Sequence, residues 1–235
     1  MSGALSGKSV LVIGAGGLGG PALLALAAAG VGRLVVLDDD VVETSNLNRQ
    51  PVFGEGDLGK RKAPAAAERL RRLHPGLRVD AHDRRFDVAN ASEMAASVDV
   101  VLDGSDNFAT KFLASDAAVA TRRPLVHGGV LRYTAQLLTV MPGQTGCLRC
   151  LFEEPPAPGA VPTCAEAGVL GALAGFAGAL MGAEALRLLA GERGAYAGRL
   201  VAYDARQART RIVPVRVRRG CPACEGRLGA GSTPA

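Results

Sequence analysis

The chain has 235 residues, of which 48% are hydrophobic and 21% charged, so it is long and apolar enough to bury a sizeable core. Its net charge of +5 admits an acidic protein partner or nucleic acid and does not choose between them. The absence of Trp and an aromatic content of 4% do not favour stacking on nucleic-acid bases. The N-terminus lacks a signal-peptide pattern, so five cysteines indicate metal binding in a reducing cytoplasm rather than disulfides.

Short apolar runs alternate with helical segments over the first half of the chain. Strands are predicted at 10–13, 34–37, 77–81, 98–102 and 124–126, and helices at 18–29, 63–73 and through residue 120. A loop is predicted over 41–59. This alternation predicts an α/β fold with a doubly wound, Rossmann-like, mostly parallel sheet.

The sequence pattern changes after His127, where strands no longer alternate with helices. We read 130–141, 200–203 and 210–217 as antiparallel additions to the sheet. The segment 153–162 holds four prolines and is predicted to be a mobile crossover loop, and the small-residue tail 226–235 is predicted to be flexible.

The longest apolar stretch, 168–183, is shorter than the ~20 residues that span a bilayer. We therefore expect a tightly packed helix, in the core or at a subunit interface, and no membrane association.

A glycine loop follows the first strand and opens the first helix. Gly14, Gly16 and Gly19 satisfy G-x-G-x-x-G, and backbone N–H groups at such a helix start suit a phosphate. Asp38 ends the next strand, where a carboxylate can bond a ribose hydroxyl. These residues predict a nucleotide site and leave open whether the nucleotide is NAD or ATP.

Further polar residues outside the strand ends favour ATP. Asp40 places a second carboxylate near Asp38, which suits magnesium polyphosphate better than a nicotinamide. The segment 45–50 and then Lys62 add polar and cationic groups, of which Arg49 and Lys62 are suited to clamp a triphosphate.

Two more aspartates follow a later strand. Asp103 and Asp106 stand at its carboxyl end, where open sheets bind ligands. The histidines, by contrast, fall in no catalytic spacing, so a serine triad and a zinc hydrolase both lack support: these are His74, His82 and His127.

Two C-x-x-C pairs lie far apart in the chain. Cys147 and Cys150 form the first, and Cys221 and Cys224 the second. Four thiolates at this spacing predict a closed, structural zinc site that ties distant segments together. Cys164 is left over for chemistry.

Taken together, the chain from residue 10 to about 224 resembles the ThiF/MoeB/HesA family, bacterial relatives of ubiquitin-activating enzymes. The resemblance rests on these motifs in order: G-x-G-G-x-G at 14–19, Leu37-Asp38-x-Asp40, Ser45-Asn46-Leu47-x-Arg49-Gln50, Lys62, Asp103-x-x-Asp106-Asn107, Cys147-x-x-Cys150, Thr163-Cys164-x-Glu166-Ala167-Gly168 and Cys221-x-x-Cys224.

The resemblance implies ATP-dependent adenylation of the C-terminal glycine carboxylate of a small ubiquitin-like sulfur carrier ending in Gly-Gly, with release of pyrophosphate. It implies ATP, Mg²⁺ and Zn²⁺ as cofactors and a homodimer with the helix at 168–190 near its interface. The sulfur would come from a separate donor, a cysteine desulfurase or a rhodanese-like protein.

Residue roles are carried over by motif. Gly17 would lie against the phosphates and Asp38 would hold the ribose, with phosphate contacts from Asn46, Arg49 and Lys62. The full predicted nucleotide and magnesium set is Gly14, Gly16, Gly17, Gly19, Asp38, Asp40, Ser45, Asn46, Arg49, Lys62, Asp106 and Asn107.

The predicted catalytic set is Arg49, Lys62, Asp106 and Cys164. Asp106 would bind magnesium with Asn107 beside it, and Cys164 matches a crossover-loop cysteine that links covalently to the carrier in some members.

We expect one adenylation domain over 1–225, with a nucleotide-binding part at 8–127 and a carrier-binding and zinc part at 128–225. Some members begin with an arm that lends an arginine to the partner subunit, and here only seven residues precede Lys8. Either another arginine takes the place of the arm's arginine, or the activity is altered, or the true start lies upstream.

The alternatives to a carrier adenylyltransferase are an NAD-dependent oxidoreductase, a tRNA-modifying dehydratase and a non-catalytic carrier-docking scaffold.

Overall fold

The structure is a computed structural model, and it describes residues 5–157, 159–162 and 164–225. The strands are β1 (Ser9–Ile13), β2 (Arg33–Leu37), β3 (Arg78–His82), β4 (Val100–Asp103), β5 (Leu125–Leu131), β6 (Thr134–Val140), β7 (Arg199–Asp204) and β8 (Arg209–Pro214). The helices are α1 (Gly19–Ala28), α2 (Lys62–Leu73), α3 (Ala91–Ala96), α4 (Phe108–Thr121), α5 (Leu148–Phe152), α6 (Cys164–Ala167) and α7 (Gly171–Leu189). The tail predicted at 226–235 lies outside the described residues.

All eight strands belong to one sheet, in the order β3-β2-β1-β4-β5-β6-β7-β8. The strands from β3 to β5 are parallel, and those from β5 to β8 are antiparallel. The central strands are almost wholly apolar because helices cover both faces: α1, α2 and α7 on one, α3, α4 and α5 on the other. The predicted doubly wound sheet with antiparallel additions is confirmed.

Strand β5 belongs to both halves of the sheet. Its first residues pair in parallel with β4, and its whole length pairs with β6 in an antiparallel hairpin. Arg132 lies in the connecting turn with a φ of 53°, the left-handed conformation that such tight hairpins need. The carboxyl ends of β2, β1, β4 and β5 therefore open on the same edge of the sheet.

Helix α7 is the tightly packed helix expected from the apolar stretch. By length and composition it could cross a membrane, but 50% of its apolar window is buried. A Cβ on Gly178 would lie 2.3 Å from the carbonyl oxygen of Leu18, so this glycine sets the close approach to the N-terminus of α1.

The polar partners of α7 also mark it as a core helix. Glu184 is 1% exposed and accepts hydrogen bonds from the Thr139 hydroxyl, at 2.7 Å, and from the backbone N–H groups of Ala195 and Tyr196. A carboxylate buried with these partners fixes α7 to β6 and to the segment leading into β7.

Several element bounds differ from the prediction. Strand β4 begins at Val100 rather than residue 98, because the Asp99 side chain accepts hydrogen bonds from the N–H and the hydroxyl of Ser9 at the start of β1. Strand β8 ends at Pro214 rather than 217, and the short helices α3, α5 and α6 were not predicted.

Candidate functional site

A cavity of about 790 Å³ opens at the carboxyl ends of the parallel strands. Many of the residues predicted from the sequence line it: Gly14, Gly16, Gly17, Asp38, Asp40, Arg49, Lys62, Asp106 and Cys164. The remaining predicted nucleotide residues, all within the described part of the chain, lie outside this lining: Gly19, Ser45, Asn46 and Asn107.

The glycine loop contains positions that require glycine and positions that line the cavity, and Gly14 belongs to both sets. Gly14 has a φ of +84°, and a Cβ on Gly19 would lie 1.7 Å from the Gly14 carbonyl oxygen, so both positions require glycine. Gly16 and Gly17 line the cavity together with Gly14, whereas Gly19 lies outside its lining. The loop thus presents backbone at the N-terminus of α1, where the helix dipole favours an anion.

Asp38 fastens the end of β2 to the glycine loop. Its Oδ2 accepts a hydrogen bond from the N–H of Ala15 at 2.7 Å, and its Oδ1 accepts one from the N–H of Asp40 at 2.9 Å. Burial raises the pKa of Asp38. Because each carboxylate oxygen accepts more than one hydrogen bond, the side chain can still receive a ligand hydroxyl.

Lys62 is a buried cation in the cavity wall. It is 5% exposed, and its Nζ lies 2.8 Å from Oδ2 of Asp40, whose side chain is 66% exposed. A solvent-exposed carboxylate is a weak counter-charge for a buried ammonium group. Lys62 is therefore suited to bind further anionic oxygens.

Arg49 approaches the cavity from the short turn Thr44–Asn46. Its Nη1 donates hydrogen bonds to the Ser45 carbonyl oxygen at 2.7 Å and to Oδ1 of Asn48 at 3.2 Å. Asn46 is buried, and its Oδ1 accepts from the N–H of Glu43 at 3.2 Å. In this structure Ser45 and Asn46 shape the turn, and Arg49 is the member that lines the cavity.

Asp106 and Asn107 follow β4 and lead into α4. Asp106 is exposed in the cavity lining. Asn107 is the N-cap of α4, and its side chain accepts a hydrogen bond from the N–H of Thr110 at 2.9 Å. The two neighbours thus differ in role here. Of the two, Asp106 is the one that presents carboxylate oxygens to the cavity, and Mg²⁺ prefers such ligands.

Asp103 departs from its expected position as a ligand-facing carboxylate. It is fully buried, and its Oδ1 accepts from the N–H and the hydroxyl of Ser105 at 3.1 and 2.6 Å. Its Oδ2 lies 2.8 Å from Nδ1 of His127 and 3.5 Å from Nζ of Lys111. Both oxygens are therefore engaged by protein groups beneath the cavity.

His127 and Lys111 were given no role by the sequence analysis, yet both line the cavity. Lys111 also donates to the carbonyl oxygen of Gly128 at 2.6 Å. Only the strand register could have indicated their role, because Asp103 on β4 pairs directly with His127 on β5.

The charges in this cluster are set by mutual contact. Burial acts to raise the pKa of Asp103, but the Lys111 charge and the His127 hydrogen bond hold it well below its usual range. Burial and the Lys111 charge lower the pKa of His127 by more than Asp103 raises it. The cluster is thus an ionised carboxylate, a cation and a neutral imidazole.

Cys164 lies at the start of α6 and lines the cavity. Its Sγ donates to the carbonyl oxygen of Val130, 3.4 Å away on β5. Burial and the nearby Asp106 charge raise the pKa of the thiol, so it is protonated at neutral pH.

The four remaining cysteines come together where α5 meets the C-terminal segment. Their Sγ atoms all lie within 4.8 Å of one another. Sγ of Cys147 lies 3.8 Å from Sγ of Cys150 and 3.7 Å from Sγ of Cys221. Sγ of Cys150 lies 3.8 Å from Sγ of Cys224. Tetrahedral zinc with bonds of about 2.3 Å needs sulfurs about 3.8 Å apart, so the arrangement fits that ion.

The surroundings of the cysteines hold the cluster in place. The N–H of Arg218 donates to Sγ of Cys150 at 3.3 Å. Arg149, between the first two cysteines, makes a forked ion pair with Asp116 on α4, with all three N–O distances between 2.9 and 3.0 Å. The first cysteine pair is thereby tied to α4.

Comparison with known sequences finds one family over almost the entire chain. The ThiF family matches residues 3–223. The chain is 47% identical over 222 residues to the "SAMP-activating enzyme E1" of Haloferax volcanii, covering 94% of this chain and 82% of that one. It is also 47% identical over 221 residues to the "Sulfur carrier protein adenylyltransferase" of Thermus thermophilus, covering 92% and 82%.

Among solved structures, the chain is similar to a crystal structure of E. coli MccB with MccA-N7isoASN. The TM-score is 0.83 at 19% sequence identity, over 94% of this chain and 68% of that one. At this identity the likeness concerns the fold.

Proposed function

The chain belongs to the ThiF family, and from this premise we propose that it is an adenylyltransferase for a small ubiquitin-like sulfur-carrier protein. It joins the C-terminal glycine carboxylate of the carrier to AMP from ATP and releases pyrophosphate. Support comes from relatives at 47% identity whose names describe a SAMP-activating E1 and a sulfur-carrier adenylyltransferase.

One observation carries the proposal: the glycine loop, the cations Arg49 and Lys62 and the exposed carboxylate of Asp106 line the same cavity. The reaction needs the carboxylate held against the α-phosphate and the charge on the phosphates neutralised. Arg49 and Lys62 would supply positive charge, and Asp38 would hold the ribose. A carboxylate nucleophile is already ionised at neutral pH, so this step needs no general base.

Two metal ions belong to the proposal. Asp106 would hold Mg²⁺, because its exposed carboxylate lies in the same cavity as the proposed phosphate site. Bound Mg²⁺ supplies charge neutralisation on the phosphates. The four-cysteine cluster would hold Zn²⁺ as a structural ion, since four thiolates leave no open position for a substrate.

Cys164 is the candidate acceptor for the activated carrier. Its thiol lines the cavity and is protonated at rest. A separate protein, a cysteine desulfurase or a rhodanese-like protein, would supply the sulfur, and the cytoplasm is the inferred location because its reducing conditions keep thiols free.

A homodimer is part of the same proposal. Phe176 on α7 is 45% exposed and contacts the ring of Tyr203, with 5.3 Å between centroids. Ile212 on β8 is 56% exposed and pairs with Val201, two residues before Tyr203 on β7, so it shares the sheet face of Tyr203. This apolar surface beside α7 suits a second copy of the chain.

The test is ATP–pyrophosphate exchange with purified protein and a carrier ending in Gly-Gly. We expect exchange that depends on the carrier and vanishes when its terminal glycine is deleted. Exchange with none of the Gly-Gly carriers of the source genome, despite ATP binding, would contradict the proposal.

A further inference from the structure

His127 lies away from the sugar end of the proposed nucleotide site. Asp38, the candidate ribose ligand, follows β2, and β1 and β4 separate that strand from β5, which carries His127. At about 4.8 Å per strand spacing, three spacings place the two strands about 14 Å apart. A ligand group that meets His127 therefore comes from beyond the phosphates.

The contacts of His127 fix which ring nitrogen faces a ligand. Asp103 is ionised and can only accept hydrogen bonds, so Nδ1 of His127 carries a proton and donates to it at 2.8 Å. Lys111, from α4, opposes a second proton on the ring. Because Asp103 engages Nδ1, Nε2 is the ring nitrogen that His127 has left for the cavity it lines, and without a proton it is a hydrogen-bond acceptor.

Few groups in the proposed complex can donate to that nitrogen. Phosphates and the carboxylate of the carrier have no proton to give at neutral pH. The ribose hydroxyls belong at the Asp38 end, and so does the adenine amino group, because adenine is bonded to the ribose. The thiol of Cys164 already donates to the Val130 carbonyl oxygen. The backbone N–H groups of the carrier tail remain, and the one on the terminal glycine is nearest to the reacting carboxylate.

We propose that Nε2 of His127 accepts a hydrogen bond from the N–H of the carrier's C-terminal glycine and so aligns the adjoining carboxylate for attack on ATP. This inference rests on the proposed function. The neighbouring strand surface leaves room for a tail, since a Cβ on Gly129, which also lines the cavity, would meet no atom within 4 Å in the described part of the chain.

The test combines a change in the enzyme with a change in one substrate atom. In His127→Asn, the shorter amide can still donate to Asp103 but places nothing where Nε2 was. The carrier is prepared by peptide ligation with either glycine or sarcosine (N-methylglycine) at its terminus, and sarcosine lacks the N–H. The measured quantity is kcat/KM for carrier-dependent pyrophosphate exchange.

With the wild-type enzyme, we expect sarcosine to lower kcat/KM about tenfold, as the loss of one hydrogen bond would do. His127→Asn should lower it about as much with the glycine carrier, and sarcosine should then add less than a twofold further loss. An equal sarcosine penalty in both enzymes would overturn the inference. A purely structural role of His127 would also leave that penalty unchanged.

A matched control is His74→Asn, the same substitution at the end of α2 and outside the cavity lining of the described residues. It should keep the full sarcosine penalty. Failure of the wild type to exchange with the glycine carrier would refute the proposed function instead, so the two failures are distinguishable.

A measurement on the wild type covers the case in which His127→Asn does not fold. The ¹⁵N resonances of the three histidines are assigned by elimination with His74→Asn and His82→Asn. Nε2 of His127 should shift when the glycine carrier and a non-hydrolysable ATP analogue bind, and should shift less with the sarcosine carrier. Equal shifts with both carriers would overturn the inference.

Discussion

Asp103 and His127 are direct partners in the parallel pair of β4 and β5, with Oδ2 of the aspartate 2.8 Å from Nδ1 of the histidine. Both residues are buried, and both have a pKa below the ordinary value for their type. The pair therefore links the acid sensitivity of the fold to the cavity that His127 lines.

The protein should lose stability at mildly acidic pH. Because the pKa of His127 is lowered in the folded state, the unfolded chain binds a proton near pH 6.5 that the native state refuses. The free energy of unfolding should fall as pH drops through that value, by at most about 1.4 kcal/mol per pH unit for this one proton. Asp103 adds a further loss below about pH 4, since its folded pKa is also lowered.

Urea unfolding between pH 7.5 and 5 measures this effect. The wild type should lose more stability over that interval than His127→Asn, which has no imidazole to protonate. Parallel losses in the two proteins would show that the acid sensitivity arises elsewhere.

Gly19→Ala should disrupt the glycine loop. The new Cβ would lie 1.7 Å from the Gly14 carbonyl oxygen, so the loop or the start of α1 must shift. We expect a destabilisation of about 1–3 kcal/mol, as for overpacking, together with weaker ATP binding. Gly54→Ala is the control, because a Cβ there meets no described atom within 4 Å; a melting temperature equal to that control would be evidence against the steric argument.

Asp106→Ala should remove the proposed magnesium ligand without unfolding the protein, because this carboxylate is exposed. We expect pyrophosphate exchange to fall at least about 100-fold, the scale for losing one transition-state contact. Asp39→Ala is the matched control: Asp39 follows the same edge of the sheet but lies outside the cavity lining of the described residues. Normal exchange by Asp106→Ala would exclude the role.

Arg49→Ala should slow adenylation while leaving the fold intact, because the hydrogen bonds of the Arg49 side chain within the described residues go to the exposed turn beside it. A loss of about 3 kcal/mol of transition-state stabilisation is expected, seen chiefly in kcat. The comparison is Arg85→Ala, which removes an equally large cation that is 76% exposed and pairs with Asp39. If both variants keep wild-type kcat, Arg49 does not act on the phosphates.

Cys221→Ser should release bound zinc and lower the melting temperature, because three thiolates hold the ion less tightly and the cluster joins distant segments. Cys164→Ser makes the same atomic change in the cavity and should retain the metal. Metal content by atomic emission and melting by circular dichroism give the two readouts. Wild-type protein that carries no zinc would remove the structural-zinc proposal.

The sheet and the position of the cavity were predictable because their signals are local. Val10, Val12, Leu34 and Val36 belong to short buried runs, and a glycine loop between two such runs identifies the first strand, turn and helix. The four-cysteine cluster was equally predictable, since two C-x-x-C pairs have the spacing of zinc ligands.

The Asp103–His127–Lys111 cluster could not be predicted in the same way. Its members belong to three elements and meet only through strand register and helix packing, which the sequence does not state. Asp103 looked like a ligand because it follows an apolar run, but pairing with His127 and Ser105 takes up its oxygens. The roles expected for the other cavity residues stay predictions.

The shared strand β5 limits how this protein can be divided. A cut after residue 127, where the composition changes, would fall inside Leu125–Leu131 and expose an apolar strand edge that β6 now covers. The amino-terminal piece would also lose α7, which packs on α1. Fusion partners and tags should therefore be attached, and split points chosen, outside this strand, because β5 pairs with strands of both halves of the sheet.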